Sequence, residues 1–450
     1  MVSDCETCCL AHIPQGRPDK VLNRAANDGL RAREKMTKSS VRSKIVLIAV
    51  SFSLPLGVLL YLTVANINSR ISFATKELAG TAYLRPLADV LEAVQEHELA
   101  VMTGSDCGAI TNRVNAGLNA LKVQNAKYGS LLEFTAEGLA KRDRAHLTIP
   151  LLEAQWEEIG ARKCAAEPVK YAKLNGDLRA MIGHAGDTSN LILDPDLDSY
   201  YLMDAVVVAL PQTQSRHWKV LRESRHGIDG WRKRAGIDAA LLKESDLDRV
   251  DVGVITAIKE DAGFYGTSPS LQPVLTPALA AYKASAESFI AMTEKASEGE
   301  AGAQFQAAGV SAMRASFSIW RTAAAELDVL LRARVEYDTS YRFWALALAG
   351  LALSAACGLS WYFMLSIVVP LDGLMRSLGP GATLLSECVG RIAESNKRQA
   401  SGDVEAEIIC EELNAHADDM RKAVYQLALH VNGADAEVAV IGSKAEIHHA

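Results

Sequence analysis

Two stretches without a single charged side chain constrain this chain more than anything else in it. Ile45 to Ala65 reads IVLIAVSFSLPLGVLLYLTVA, and Phe343 to Val369 reads FWALALAGLALSAACGLSWYFMLSIVV. Crossing a hydrocarbon core about 30 Å thick takes roughly 20 apolar residues in a helix. A helix is also the only open element that satisfies its own backbone polar groups there. Both stretches therefore predict transmembrane helices, with Pro55 a predicted kink in the first. Tyr61, Trp344, Trp361 and Tyr362 stand near their ends, where ring systems suit the membrane–water boundary. The first stretch starts too late, runs too long and lacks a small-residue cleavage site, so it reads as a retained span and not as a signal peptide.

Basic residues set the orientation. Arg17, Lys20, Arg24, Arg31, Arg33, Lys35, Lys38, Arg42 and Lys44 precede the first stretch, and only Arg70 and Lys76 closely follow it. That bias predicts a cytoplasmic N-terminus. The flank of the second stretch is less one-sided, because Arg332, Arg334 and Arg342 come before it. Two spans nevertheless return the C-terminus to the cytoplasm. The expected organisation is a tail over 1–44, a span over 45–65, a large extracytoplasmic domain over 66–342, a span over 343–369 and a cytoplasmic segment over 370–450.

The region between the spans reads as all-α. Hydrophobic residues make up 49% of the chain but aromatic residues only 6%, so Ala, Leu, Val and Ile carry the apolar surface. Ala and Leu lose little freedom in a helix. Leu84, Leu87, Leu91 and Val94 step by three and four, as do Met313, Phe317, Trp320, Ala324, Leu327 and Leu331. Each set lays one apolar stripe on one helix. Gly104 to Gly108, Thr148 to Pro150, Glu167-Pro168 and Gly263 to Pro277 mark breaks, and Asp194-Pro195 predicts a helix start with Asp194 as its cap. No alternating strand pattern of useful length occurs. Seven to nine helices are expected, more than one four-helix bundle needs, which favours two stacked bundles.

The chemistry-bearing residues offer no catalytic set. No Gly-rich phosphate loop, Ser/His/Asp group or pair of catalytic carboxylates stands out, so no enzymatic activity and no cofactor are expected. Net charge is -7 and no basic stripe carries interleaved aromatics, which argues against nucleic acid. Asp194, Asp196 and Asp198 alternate like the first ligands of a calcium loop, but Ser199 and Ala205 occupy positions where such a loop needs Gly and Glu. Glu96-His97-Glu98 reads as a solvated helix face, since adjacent helical residues point in different directions. Cys5, Cys8, Cys9 and His12 form half a metal site at best, and no metal is expected. Cys107 and Cys164 either pair in an oxidising compartment or are separate small buried residues. For a small-molecule ligand the candidates are Arg85, whose planar fork suits a carboxylate, with Asp198, Tyr200, Tyr201 and Asp204. The alternative is that the tyrosines are core and Arg85 pairs with a helix acid.

Beyond the second apolar stretch, Pro370-Leu371 opens a segment in which Ile409, Leu413, His416, Met420, Val424, Leu427 and Val431 recur at three and four, a coiled-coil-like spacing. His416 lacks the acidic neighbour and downstream proline of a phosphoacceptor. Gly379-Pro380-Gly381 and the stretch from Lys397 to Val404 interrupt the segment.

The layout resembles bacterial methyl-accepting chemotaxis proteins and sensor histidine kinases with helical periplasmic domains. INSRISFATKELAGTAYLRPL (Ile67 to Leu87) and TSNLILDPDLDSYYLMDAVVVALPQ (Thr188 to Gln212) carry the resemblance, which covers about residues 45 to 370. The Pro370-Leu371 opening is similar to a HAMP signalling linker, and Glu407, Leu413 and Met420 match its second helix. The resemblance implies a homodimeric inner-membrane receptor. A stimulus in the periplasmic bundle would reach Pro370, Leu371, Glu407, Leu413 and Met420 through the membrane. The long cytoplasmic coiled coil and the kinase modules of those families are absent from this sequence, so the implied output is a cytoplasmic signalling protein or a full-length receptor. The alternative function is a non-catalytic membrane scaffold.

Overall fold

The computed structural model describes residues 41–160, 168–225, 230–297 and 304–371, together with scattered positions between 373 and 423. Every regular element among the described residues is helical, and none is a strand. The N-terminal tail, Cys164, Glu407, Leu413 and Met420 lie outside the described residues, as does most of the expected coiled-coil spacing.

One compact unit is Thr63–Ala345. Its two ends come from long helices, α1 (Val41–Thr103) and α11 (Phe305–Phe363). Between them run α2 (Gly108–Tyr128), α3 (Ala136–Ala140), α4 (Ile149–Gly160), α5 (Pro168–Thr188), α6 (Leu197–Met203), α7 (Leu210–Arg225), α8 (Trp231–Ala240), α9 (Asp248–Glu260) and α10 (Leu271–Ser297). The buried apolar side chains form one connected core, from Ala79 on α1 to Leu331 on α11. Both predicted stripes are part of it. Leu84, Leu87, Leu91 and Val94 are fully buried, and so are Met313, Phe317, Trp320, Ala324, Leu327 and Leu331.

Two boundaries differ from expectation. Asp194 does not cap a helix directly. A short 3-10 turn (Leu191–Leu193) ends on it, and Asp196 precedes α6 instead. The Asp194 carboxylate accepts from the Asp196 N–H at 3.1 Å and from the Ser199 hydroxyl at 3.0 Å, an Asx-type turn that holds Pro195 outside the helix. The Gly263–Pro277 connector is shorter than the sequence suggests. α10 begins at Leu271 and runs through Pro277. The turn over Gly104 to Gly108 falls as expected, between α1 and α2.

A π-helical turn (Asp204–Ala209) precedes α7 for a reason visible in the sequence. Pro211 has no N–H, and its ring would strike the carbonyl four residues back in a regular α-helix. Widening the turn relieves that clash. The Leu210 N–H then reaches back to the Ala205 carbonyl. The Val206 carbonyl is left to the buried indole N–H of Trp320, at 2.8 Å.

The second unit comprises Met1–Leu62 and Leu346–Ala450. Its described parts include the apolar stretches, and α1 continues through Pro55. Both α1 and α11 are long and apolar enough there to cross a membrane. Their side chains are bare, with Phe52 and Leu351 each 70% exposed. Apolar surface costs about 25 cal/mol per Å² in water, so a run of this length needs a cover. Another π-helical stretch (Leu241–Leu247) has no proline after it, but a further one (Met364–Val368) precedes Pro370, and there the Val369 N–H reaches back to the Met364 carbonyl. This repeats the Leu210-Pro211 solution. Pro370 and Leu371 are helical.

Candidate functional site

The feature that organises the Thr63–Ala345 unit is a polar seam between α1 and α11. The Arg342 guanidinium donates to the Asn68 side chain at 2.6 Å. Arg70 pairs with Asp338 at 3.0 Å. Arg334 pairs with Glu77 at 2.9 Å, and Thr81 donates to Asp328 at 2.5 Å. Arg85 donates to Asp328 at 2.8 Å and to the Ala324 carbonyl at 3.3 Å. Arg321 reaches Asp89 at 3.1 Å and also Glu92, and Arg314 reaches Glu96 at 2.8 Å. As α1 advances from Asn68 to Glu96, its partners retreat along α11 from Arg342 to Arg314, the same number of positions on each helix. The seam is therefore a single antiparallel register held for roughly 40 Å, at 1.5 Å per residue.

The other rungs are open on the cation side only. Arg70, Arg85, Arg314 and Arg321 are well exposed, while Asp338, Glu92 and Glu96 opposite them are buried. Arg334 is different, because its side chain is only 5% exposed. Besides Glu77 it holds Asp194 at 2.7 Å, Asp196 at 2.6 Å and the Ser199 hydroxyl at 2.7 Å, and the Tyr265 ring lies 5.9 Å from its guanidinium carbon. One buried cation thus ties α1, α11 and the turn before α6. Burial, reinforced by Asp194 and resisted by Arg334, pushes the Glu77 carboxyl up to about 9. Burial also raises Asp194 against the pull of Arg334. Arg334 itself, which burial alone would lower, is held above its ordinary value by Asp194 and Glu77. At neutral pH Glu77 therefore keeps its proton.

A second polar group lies on the far part of α1. Glu96, His97 and Glu98 are buried, which corrects the solvated-face reading. His97 contacts the Tyr171 hydroxyl at 2.7 Å and the Thr111 hydroxyl at 3.1 Å, and burial lowers its pKa. Glu98 is fully covered, and burial pushes it up to about 8 against the pull of Arg222 and the Trp218 indole. Glu96 behaves in the opposite way. Burial would raise it, but hydrogen bonds from Arg314 and Arg113 hold it below the ordinary carboxylate range.

The sequence-predicted ligand residues divide. Arg85 is a seam rung. Asp198, Tyr200, Tyr201 and Asp204 share α6 and its π-helical continuation. Asp198 is buried, accepts from the Ser199 N–H at 2.7 Å and is pushed up to about 6 by burial. The rings of Tyr200 and Tyr201 meet edge-on at 5.5 Å, with Tyr201 packed on the core. Asp204 is held by Arg249 at 2.5 and 2.9 Å. Among the described residues no hydrogen bond, ion pair or ring contact joins Arg85 to the other four. Glu77, Glu96, Arg314, Arg321 and Arg334 were not singled out as site residues from sequence. A signal exists, because Arg314, Arg321, Asp328 and Arg342 fall on one seven-residue repeat, which keeps charges on one helix face.

The described residues define an all-helical protein with two helices long and apolar enough to cross a membrane. No protein-family model, no curated protein and no solved structure matches the chain.

Proposed function

We propose that the chain is a transmembrane receptor of the chemoreceptor type, in which a stimulus on an extracytoplasmic helical domain is carried through α1 and α11 to a cytoplasmic partner. The observation that carries this reading is continuity. The two helices of the seam are the same two that run, unbroken, into the apolar stretches. The basic N-terminal tail favours a cytoplasmic N-terminus. The resemblance to sensor receptors adds a homodimer and a HAMP-like relay beginning at Pro370 and Leu371.

The energetics of the seam suggest how such a signal would travel. Sliding α11 past α1 by one turn, about 5.4 Å, breaks every rung together, including the buried contacts of Arg334. Stranding one buried charge costs about 3–5 kcal/mol. Splaying only the far end takes Arg314 and Arg321 off Glu96 and Glu92, and neither buried acid is stranded, because Arg113 also pairs with both. Arg334 thus acts as a fulcrum, with a loose arm on one side and the spans on the other.

The test locks the seam. In the full chain with native cysteines replaced, Thr81→Cys with Asp328→Cys should form a disulfide in lipid nanodiscs, while Thr81→Cys with Val335→Cys, two turns out of register, should not. Closing the lock should alter amide exchange over residues 364–371. Unaltered exchange with the lock closed would sink the receptor reading and leave a static scaffold. Membrane-impermeant thiol labelling of Val252→Cys in intact cells should succeed from outside; labelling only after lysis would reverse the topology.

A further inference from the structure

At the loose end of the seam, α1, α7 and α11 leave an open cleft of about 500 Å³. That volume lies within the range of small-molecule sites. Leu99 and Val310 supply apolar wall, Gln306 and Ser311 supply polar groups, and Arg225 and Arg314 supply charge. No acidic residue lines it.

We infer that this cleft binds an amphipathic carboxylate, and, resting on the receptor reading, that it is the input site. Two observations point there. First, Arg314 uses its Nε on Glu96, and among the described residues its two terminal amino groups have no other partner. They form the fork that takes a carboxylate in two parallel hydrogen bonds. Second, Arg225 has no acidic partner among the described residues, so two guanidinium groups bring net positive charge to a partly apolar hollow.

The same geometry makes binding consequential. Glu96 is held by Arg113 as well as by Arg314. A ligand carboxylate can draw Arg314 away without stranding Glu96, because Arg113 stays. The exchange swaps one carboxylate partner of Arg314 for another and releases the last rung of the seam. The apolar body of the ligand would rest against Leu99 and Val310, so a bare anion would gain less than one carrying a ring or short chain.

The experiment titrates phenylacetate, 2-phenylethanol and inorganic phosphate into the full chain in nanodiscs, followed by calorimetry. Phenylacetate should bind saturably, at least tenfold tighter than either control. Arg225→Gln and Arg314→Gln should each weaken it tenfold or more, about 1.4 kcal/mol. Ser311→Trp, an exposed position whose ring would fill the cleft, should abolish binding while leaving the melting temperature near wild type. Absence of saturable phenylacetate binding, or binding indifferent to these variants, overturns the assignment. Phosphate binding as tightly as phenylacetate overturns its amphipathic part. Amide exchange over 364–371 separates the two readings. Binding without a change there keeps the site and sinks the receptor, whereas a responsive seam lock without phenylacetate binding does the reverse.

Discussion

Replacing Arg334 by Met tests the fulcrum directly. Met fills similar space without charge or donors. The substitution removes contacts of 2.6–2.9 Å to Glu77, Asp194, Asp196 and Ser199. Glu77 adds little to the penalty, since its carboxyl is already pushed up to about 9 and stays neutral. The penalty falls on Asp194, whose side chain is fully buried, more than on Asp196, which is 13% exposed. One stranded buried charge costs about 3–5 kcal/mol. For a unit the size of Thr63–Ala345, about 2–4 °C per kcal/mol translates this into a fall of roughly 6–20 °C. Circular dichroism melts of the full chain in detergent would measure it. The loss should shrink from pH 8 to pH 5, because Asp194, already raised by burial, takes up a proton more readily once Arg334 is gone. Asp194→Asn should rescue part of the loss in the double variant. An Arg334→Met melting temperature within 2 °C of wild type at pH 8, or a loss equal at both pH values, would refute the reasoning.

Three further predictions use the same melts. Glu98 has a folded pKa of about 8, above its ordinary 4.5, so the stability it contributes is present below pH 4.5 and is lost as pH rises toward 8. Glu98→Gln should match wild type near pH 4.5 and melt higher at pH 8, and parallel curves would contradict this. A Cβ on Gly80 would stand 2.4 Å from the Ser189 side chain, so Gly80→Ala should cost about 1–3 kcal/mol, and Gly80→Ala with Ser189→Gly should recover most of it. Trp320→Phe should cost about 1–3 kcal/mol by leaving the Val206 carbonyl unpaired, and less in a Pro211→Ala background, where the backbone regains a donor; an equal cost in both would break the link.

The apolar half of the helix pair was legible in the sequence, and the polar half was not. A stripe such as Leu84, Leu87, Leu91, Val94 announces itself, because burial of large aliphatic side chains depends on their own chemistry and spacing. Glu77 and Glu98 carry no such mark. A carboxylate is buried only where a cation or a hydrophobic shell elsewhere in the fold receives it. The Arg334 partner of Glu77 stands 257 residues away. Local reading therefore assigned Glu96-His97-Glu98 to solvent. Asp194 was assigned to a helix cap, when its carboxylate is committed to Arg334 and to its own turn. Arg85 read either as a ligand fork or as the partner of a helix acid, and its pairing through one amino group with Asp328 on α11 could not be picked out locally, because Asp328 stands 243 residues away.

The two proline sites show how far local chemistry and tertiary partners must be read together. Leu210-Pro211 and Val369-Pro370 present the same problem to a helix, and a π-helical turn solves it each time. Widening a helix by one residue per turn rotates everything beyond it, and it leaves a carbonyl without a backbone donor. Ahead of α7 the freed carbonyl of Val206 is claimed by Trp320 from the core face of α11, so that turn is fixed. At Met364–Val368 no side-chain donor among the described residues is bonded to the turn. The turn ahead of α7 is thus locked by a side-chain hydrogen bond from α11, and among the described residues the turn before Pro370 has no such bond. If α1 and α11 carry a signal inward, a rotation at the turn before Pro370 breaks no side-chain hydrogen bond among the described residues, whereas one at Asp204–Ala209 costs the Trp320 bond.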